Sequence, residues 1–501
     1  MISDLEVRAL SFVSIGFLIL LFATVLVYYQ TPHRYRWVCL LAASYVFYIF
    51  SSPVYAIFLI VSTVVTYGSG LLIGRINSGT GKQKYKKLIV VFSLLINIGI
   101  LMVFKYADFF RETYSGLLAL FWVSVATEAF HLILPVGISF YTFQSLSYTI
   151  DVYRGDVEPQ THLGKYALFV SFFPTLVSGP IQKSKDFLKK IDEVHPFDYA
   201  GIKKGVLLML WGYFEKMVVA DRLGILVNTV YENPSKYHGL ESILASFFYT
   251  FQIYCDFSGY SNIAIGAAEM LGFHLAENFN CPYFAKSIQD FWRRWHISLS
   301  TWFRDYLYFP LGGSRCSKFR RCLNVLIVFT VCGFWHGASL TFLFWGLLHG
   351  IYQVIGLLLK PLKERAREAM GIKKQSIGYR IIQVAITFLL VNFAWIFFRA
   401  DTMENAFLLI GNMFQFDPAA IWNGALFQLG LTEPEFIAGL LGVAIIMLVD
   451  ILKKRIDLRT ALMSRNVVLR WTVYLAAVLI LMLFGVYGSE YSAQSFIYFQ
   501  F

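Results

Sequence analysis

Long apolar runs dominate this sequence, and they restrict the chain to folds that lipid can solvate. Hydrophobic residues make up 57% and charged residues 15% of the 501 positions, whereas about a quarter of the residues in an ordinary soluble domain are charged. The apolar runs lie at about 11–29, 37–50, 54–74, 88–104, 131–150, 203–220, 241–256, 259–273, 323–335, 340–359, 379–398, 436–451 and 471–488. Because about 20 apolar residues span a bilayer as a helix, the sequence predicts an all-α polytopic membrane protein with roughly 11 to 13 spanning elements.

Two further apolar stretches do not fit a plain spanning helix. The segments 114–126 and 166–181 are shorter or are broken by proline and glycine. Irregular backbone is tolerated at membrane depth only where protein covers it, so we expect re-entrant or interfacial segments there. We predict a single integral membrane domain over residues 1–501, with a motif-bearing core at about 130–400 and C-terminal helices at about 436–488.

Lysine and arginine cluster in short segments between the apolar runs. These basic segments lie at 33–36, 75–87, 183–190, 315–321, 360–374 and 453–470. Cytoplasmic loops carry such an excess, so we place these segments in the cytoplasm. The segment 401–435 has five acidic and no basic residues, so we expect it outside, together with the N-terminus (Asp4, Glu6, Arg8) and the tail 487–501. The net charge of +12 fits anionic lipid better than nucleic acid, although any one basic segment can also bind substrate.

Ionisable side chains in apolar surroundings concentrate in the middle third of the chain. Tryptophan, arginine and histidine alternate through 291–307 around His296, a pattern typical of neither a plain spanning helix nor a loop. His336 lies in an apolar run between Gly333 and Gly337, and glycines allow close backbone approach. His349 follows 13 residues later. Because ionisable groups at membrane depth cost a few kcal/mol each, their presence indicates function.

Histidine suits acyl transfer to a hydroxyl, because its ordinary pKa of about 6.5 lets it take up the hydroxyl proton near working pH. His336 has the more apolar setting and should be largely neutral, hence competent as a base. The alternative is that it is a hydrogen-bonded packing residue. Haem ligation by His336 and His349 is disfavoured, because 13 residues of continuous helix would separate them by about 20 Å. The six cysteines are scattered, so we expect neither a structural metal nor a disulfide framework.

Several of these segments together resemble the membrane-bound O-acyltransferase family. The two strongest are WRRWHISLS at 292–300 and FWHG at 334–337, and FPTLVSGP at 173–180, DFSGYS at 256–261 and DYLYFPLGG at 305–313 add to them. The resemblance extends over about residues 10–400, with the motifs in the family's order. Within the family the chain is most similar to the alginate O-acetyltransferase branch, and more distantly to the D-alanyl transfer proteins of teichoic acid synthesis.

The resemblance implies a fold and two central residues. It implies a ring of tilted transmembrane helices and re-entrant segments around a tunnel that opens on both sides of the membrane. His336 matches the family's essential catalytic histidine. His296 matches a second functional position, which is histidine in this bacterial branch and commonly asparagine in eukaryotic lipid-modifying relatives. The acyl donor implied is acetyl-CoA, with no permanently bound cofactor.

The tunnel gives the nearby polar residues candidate roles. Guanidinium groups suit phosphate oxygens, so the candidate contacts to the donor are Arg293, Arg294, Arg304 and Arg315. The alternative is that these arginines anchor the protein at the membrane surface or pair with Asp290 and Asp305. The candidate tunnel residues are Trp335, Asp256, Tyr260, Ser300 and Asp305, although Asp256 also suits a structural hydrogen-bonding role.

The function implied is transfer of an acetyl group from cytoplasmic acetyl-CoA across the bacterial inner membrane. The acceptor would be a hydroxyl on a separate extracytoplasmic acetyltransferase, of the SGNH type, which then acetylates an alginate-like exopolysaccharide. The segment 401–435 and the aromatic tail 491–501 lie on the right side to bind that partner, and the tail also suits an interfacial anchor.

Three other functions remain open at this point. One is acyl transfer to peptidoglycan or D-alanyl transfer to teichoic acid. Another is a transporter or flippase for a glycan or lipid intermediate, which should tolerate loss of His336. The third is a lysophospholipid acyltransferase, which the family resemblance disfavours because position 296 is histidine.

Overall fold

The computed structural model describes residues 10–119, 132, 134–415, 417–487 and 496–497, and over these residues it contains helices and no strands. The predicted all-α fold is confirmed. The N-terminal charges Asp4, Glu6 and Arg8, most of the tail 487–501, and the second half of the predicted re-entrant stretch 114–126 lie outside the described residues.

The chain packs as two units, and each unit is formed by two separate stretches of the sequence. The first comprises Met1–Met209 and Tyr260–Ala276, and the second comprises Leu210–Gly259 and Glu277–Phe501. Two of the three boundaries, after Met209 and after Gly259, fall inside continuous helices, so the division is one of packing. The single domain predicted from the sequence stays a prediction.

The first unit is built from helices that begin early in the chain. They are α1 (Ile15–Gln30), α2 (His33–Ser51), α3 (Ala56–Asn77), α4 (Lys86–Ala119), α5 (Ile138–Arg154), α6 (Leu163–Ser171), α7 (Phe173–Leu176), α8 (Ser184–Asp192) and most of α9 (Tyr199–Tyr213). Buried hydroxyl and amide groups tie them together: Ser62 donates to Asn97 at 2.6 Å, and Tyr166 donates to Thr66 at 2.7 Å. Hydrogen bonds between polar side chains are a common means of holding helices together in lipid.

The second unit continues from the end of α9. A π-helical segment, Phe214–Ala220, leads into α10 (Asp221–Glu232) and then α11 (Leu240–Met270), which returns to the first unit at Tyr260. The remaining helices are α12 (Ile288–Trp292), α13 (Ile297–Phe303), α14 (Lys318–His336), α15 (Leu340–Leu358), α16 (Lys360–Ala369), α17 (Ile377–Arg399), α18 (Met403–Met413), α19 (Glu433–Lys453), α20 (Leu458–Met463) and α21 (Val467–Phe484).

Six helices among the described residues are long and apolar enough to cross a membrane. They are Ala56–Asn77, Gln83–Ser115, Leu340–Leu358, Ile377–Arg399, Glu433–Lys453 and Val467–Phe484. Each coincides with one of the predicted apolar runs, and together they make the protein a multi-pass membrane protein. The larger total of 11 to 13 spanning elements stays a prediction.

One prediction about the helices is wrong. The runs at 241–256 and 259–273 are joined in the single helix α11, which continues through Ser258 and Gly259. These small and polar residues do not end the helix, because Gly259 packs closely against the backbone of the preceding helical segment. A Cβ atom at Gly259 would lie 2.7 Å from the carbonyl oxygen of Gly212. Small residues at such contacts let helices approach in a membrane.

Candidate active site

His336 lies at the tip of a tightly packed helical hairpin in the second unit. It is the last residue of α14, and α15 begins at Leu340 after a cap by Ser339. The two helices approach closely at Gly333 and Gly346, where a Cβ atom on Gly346 would lie 2.8 Å from the Cα atom of Gly333. The close approach predicted from the glycines beside His336 is therefore present in the structure. It fixes the position of His336, whose side chain is buried.

Aromatic rings enclose the His336 imidazole. The Trp345 ring lies edge-on to it with ring centroids 5.0 Å apart, and the Phe398 ring lies at 5.2 Å. His349 packs on the same indole at 5.1 Å, so the two imidazoles are within about 10 Å of each other. The predicted separation of about 20 Å is wrong, because the chain reverses between α14 and α15 instead of continuing as one helix.

His296 lies at the break between α12 and α13 and has a left-handed backbone conformation, with φ 40° and ψ 57°. The loop around Asn278 holds this conformation: the Asn278 carbonyl accepts from the backbone N–H of Ile297 at 2.9 Å, and its side-chain oxygen accepts from that of Ser298 at 3.3 Å. Two short helices broken at a histidine account for the sequence pattern at 291–307, which predicted neither a plain helix nor a loop.

His296 and His336 share one aromatic neighbour. The Trp335 ring lies 4.8 Å from the His336 ring and 6.5 Å from the His296 ring, measured between centroids. His296 also meets the Phe257 ring edge-on at 4.6 Å. Burial lowers the pKa of His296 to about 3, because a buried imidazole loses the hydration that stabilises its charged form. His296 is therefore a neutral imidazole at physiological pH.

A large cationic cavity lies beside this pair of histidines. Its volume is about 1700 Å³, and its lining comes from α12 to α17 of the second unit. Two lining residues are acidic, Asp290 and Glu364, whereas nine are basic: Lys286, Arg293, Arg304, Arg321, Lys360, Lys363, Arg367, Lys374 and Arg380. Lysine and arginine in this number give the cavity a positive charge that suits an anion such as a phosphate group.

The inner wall of the cavity reaches the segments that carry both histidines. Ile297, directly after His296, lines the cavity, and so does Cys332, one helical turn before His336. The indole of Trp292 also lines it and donates a hydrogen bond to the buried His349 ring at 3.2 Å. The two histidines themselves are not among the lining residues in the described part of the chain.

The four predicted donor-binding arginines fall into two groups. Arg293 and Arg304 line the cavity, although Arg304 also pairs with Asp305 at 2.9 Å. Arg294 does not line it: it pairs with Asp290 at 2.9 Å and donates to the Asn280 carbonyl at 3.3 Å. Arg315 is likewise not a lining residue.

Most of the basic lining comes from residues that the sequence indicated mainly as topological signals. Arg321 belongs to the basic segment 315–321, and Lys360, Lys363, Arg367 and Lys374 belong to the segment 360–374. The charge of these segments was visible in the sequence. Their convergence on one cavity was not, because it depends on how α14 to α17 pack.

The predicted tunnel residues lie in different surroundings. Trp335 is a neighbour of both histidine rings, and Ser300 lines the cavity. Asp256 is buried in an ion pair with Lys216 at 2.5 Å, and its second oxygen accepts from the backbone N–H of Ile497 at 2.9 Å. Tyr260 lies in the first unit, where its hydroxyl forms a hydrogen bond with Ser11 at 3.1 Å.

The aromatic tail 491–501 was predicted to bind a partner or to anchor at the membrane interface. Only Phe496 and Ile497 of this tail are among the described residues, and they are 0% and 4% exposed. The side chains of these two residues pack inside the second unit, and the role predicted for the tail stays a prediction.

Comparison with known proteins gives a consistent set of relatives. The membrane-bound O-acyltransferase family model matches residues 159–398. A probable alginate O-acetylase of Pseudomonas putida is 35% identical over 489 residues, which are 95% of this chain and 96% of that protein. The probable alginate O-acetylase of Pseudomonas aeruginosa is 38% identical, over 78% of this chain and 72% of the relative. The peptidoglycan O-acetyltransferase of Helicobacter pylori is 35% identical, over 75% and 73%.

The helical membrane fold and these relatives define the protein as a polytopic membrane acyltransferase. The chain belongs to the membrane-bound O-acyltransferase family, as the motifs at 292–300 and 334–337 predicted. Its similarity to the probable alginate O-acetylases extends over most of its length.

Proposed function

We propose that the protein transfers an acetyl group from cytoplasmic acetyl-CoA to a hydroxyl acceptor outside the bacterial inner membrane. The cationic cavity beside the two buried histidines is the observation that carries the proposal. The relatives support the choice of acetyl, since they include probable alginate O-acetylases and a peptidoglycan O-acetyltransferase.

The cavity suits a coenzyme A donor. Coenzyme A carries a diphosphate and a 3′-phosphate at one end and its thioester at the other, joined by an extended uncharged arm. The basic residues of α16, together with Arg321 in the first turn of α14, would hold the phosphates. The arm would then run along the inner wall toward Ile297 and Cys332, which brings the thioester near the histidine pair.

The proposed chemistry needs one base and a means of orienting the donor. His336 takes the proton from the acceptor hydroxyl as the hydroxyl oxygen attacks the thioester carbonyl carbon. The carbon–sulfur bond then breaks, and the proton passes to the departing thiolate to give free coenzyme A and an acetyl ester. His296, neutral and buried, would orient the thioester or act as a second base.

The acceptor side would be served by a separate extracytoplasmic acetyltransferase of the SGNH type, which passes the acetyl group to an alginate-like polysaccharide. The acidic segment 401–435 offers a structured surface for it. This segment contains α18, and the side-chain amide of Asn412 anchors it by donating to the carbonyls of Pro234 at 2.6 Å and Tyr237 at 3.2 Å. The exposed indole of Trp422 lies in the same segment.

The direct test measures loss of the thioester from radiolabelled acetyl-CoA by the protein in lipid nanodiscs. Wild type, His336→Ala and His296→Ala are compared with and without a candidate extracytoplasmic partner, and His238→Ala serves as a control because that histidine is exposed. We expect turnover that the partner increases, that His336→Ala abolishes and that His238→Ala leaves unchanged. Folded wild-type protein that turns over no acetyl-CoA under any of these conditions would contradict the proposal.

The rival transporter function gives a different pattern. A flippase should keep a large part of its activity in His336→Ala and should move an intact glycan or lipid without consuming a thioester. Labelled D-alanyl and acetyl donors, offered in parallel, separate the proposed O-acetyl transfer from the transfer of D-alanine.

A further inference from the structure

The segment Phe496–Ile497 is buried in the second unit beside α11, about 240 residues away in sequence. The backbone N–H of Ile497 donates to the Asp256 carboxylate at 2.9 Å, and the two residues are 241 positions apart in the sequence. The Phe496 ring packs edge-on against the Phe257 ring with centroids 5.7 Å apart. Two neighbouring residues of the tail thus contact two neighbouring residues of α11.

Asp256 is held from both sides. One carboxylate oxygen accepts from Lys216 at 2.5 Å and the other accepts from Ile497. Lys216 lies in the π-helical segment and also pairs with Asp221 at 2.7 Å. The three charged side chains are almost fully buried, at 1%, 5% and 7% exposure for Lys216, Asp256 and Asp221. A hydrogen bond removed from a buried carboxylate is costly, because water cannot replace it there.

Asp256 and Phe257 connect these contacts of the tail to His296. Phe257 follows Asp256 on α11, and its ring meets the His296 imidazole edge-on at 4.6 Å and an interplanar angle of 89°. His296 holds a left-handed backbone conformation, which surrounding packing must maintain. The contacts therefore run from Ile497 and Phe496, through Asp256 and Phe257, to the imidazole.

We infer that Phe496 and Ile497 are positioning residues for His296. The inference rests on the proposed function, because it assumes that His296 takes part in acetyl transfer. Neither of them, nor Asp256 or Phe257, lines the cationic cavity. Disturbing the tail should therefore slow transfer without weakening the binding of the donor.

Two substitutions remove the tail's contacts one at a time. Ile497→Pro deletes the N–H that Asp256 accepts, and Ile497→Val keeps it. Phe496→Ala deletes the ring and leaves the ion pairs untouched, and Phe496→Leu restores most of the volume. We expect kcat to fall about 10- to 100-fold in Ile497→Pro and Phe496→Ala, since small misplacements of a reacting group have effects of that size. The KM for acetyl-CoA and both conservative variants should stay close to wild type.

A second measurement does not depend on activity. The rate at which diethyl pyrocarbonate modifies His296, followed by mass spectrometry, should rise several-fold in Ile497→Pro and Phe496→Ala, while the rate at exposed His238 stays constant. If Ile497→Pro does not fold, Phe496→Ala decides. Unchanged kcat, or unchanged modification of His296, overturns the inference. If wild type does not consume acetyl-CoA at all, the proposed function fails, and the modification rates alone decide whether the tail positions His296.

Discussion

At the scale of single residues, the backbone of His296 restricts what can replace it. His296 and Cys281 are the two non-glycine residues with positive φ in the described part of the chain. Histidine and asparagine are enriched in this left-handed region, whereas β-branched residues are strongly disfavoured. The alternation of histidine and asparagine that the family resemblance implies at this position is therefore one that the backbone tolerates.

Substitutions at position 296 should separate backbone strain from chemistry. We expect His296→Val to lower the free energy of unfolding by about 1–3 kcal/mol, the usual cost of a residue held in a disfavoured region. His296→Asn should unfold close to wild type even if transfer is impaired. Thermal unfolding of both variants in nanodiscs measures the difference. Equal stability of the two would show that the left-handed conformation is not what restricts the position.

The buried imidazole of His296 also makes stability depend on pH. Its folded-state pKa of about 3 lies below the unfolded value of about 6.5, so the unfolded chain binds the extra proton. The contribution of this group to the free energy of unfolding is present in full above about pH 6.5 and is lost as the pH falls toward 3. Between pH 7.5 and 5, wild type should lose about 2 kcal/mol more than His296→Asn. Parallel pH curves for the two proteins would contradict this.

At the scale of helices, the contact between α14 and α15 determines where His336 lies. Gly346 and Gly333 meet backbone to backbone, and Gly346 also lies against the carbonyl of Phe329. A side chain at this point has no space to occupy. The helices α14 and α15 can therefore approach this closely only with glycine at both positions.

Gly346→Ala should force α14 and α15 apart. We expect a loss of about 1–3 kcal/mol in the free energy of unfolding, as for other overpacked sites, and a large loss of transfer activity as His336 moves. Gly68→Ala, in the middle of α3, is the matched control, because a Cβ atom there would meet nothing within 4 Å and Gly68 does not line the cavity. Thermal unfolding and thioester turnover are measured on both. Equal effects of the two substitutions would argue against a special role for the hairpin contact.

The helix α16 allows an equally direct test of the donor site. Lys360 and Lys363 line the cavity, whereas Arg365 of the same helix does not. Lys360→Gln and Lys363→Gln should each raise the KM for acetyl-CoA about 5- to 10-fold, the effect of losing about 1 kcal/mol of charge attraction. Arg365→Gln should not. Initial rates over a range of acetyl-CoA concentrations give the values, and a KM that rises equally in all three would point to a nonspecific effect of charge.

Local patterns predicted several of these elements from the sequence, and non-local packing explains the ones that they missed. Gly333 lies three residues before His336, so the sequence indicated a close backbone approach there. The alternation of residue types at 291–307 indicated that the chain around His296 is not a plain helix. The cavity lining could not be predicted in this way. Lys286 and Arg380 line the same cavity only because α12 and α17 pack in one unit. The sequence predicted separate runs at 241–256 and 259–273, because Ser258 and Gly259 are typical of an interruption between spanning helices. In the structure both residues are buried, and α11 continues through them.

At the scale of the whole molecule, charge predicts orientation. The apolar helices α17, α19 and α21 separate the basic segment 360–374, the acidic segment 401–435, the basic segment 453–470 and the tail. Three crossings place the two basic segments on one side and the acidic segment and the tail on the other. The sequence alone predicts this order. It does not predict that Phe496 and Ile497 pack against α11, because no local pattern joins residues so far apart.

Labelling of introduced cysteines tests the orientation. Trp422→Cys lies in the acidic segment at a position 77% exposed, and Lys373→Cys lies in the basic segment 360–374. A membrane-impermeant maleimide should label Trp422→Cys in intact cells, and Lys373→Cys only after permeabilisation. The wild-type protein, with its six cysteines, gives the background. The reverse pattern would invert the assigned topology.

The charge of the large cavity has a consequence for the cell. An acetyl group is uncharged, so free coenzyme A carries the same phosphates as acetyl-CoA and meets the same nine basic side chains. A cavity that recognises its ligand by phosphate charge cannot expel the spent carrier in favour of the loaded one. In the proposed reaction, occupancy therefore follows the cytoplasmic ratio of acetylated to free carrier. Acetylation outside the membrane would then slow when the cytoplasmic ratio of acetyl-CoA to free coenzyme A falls.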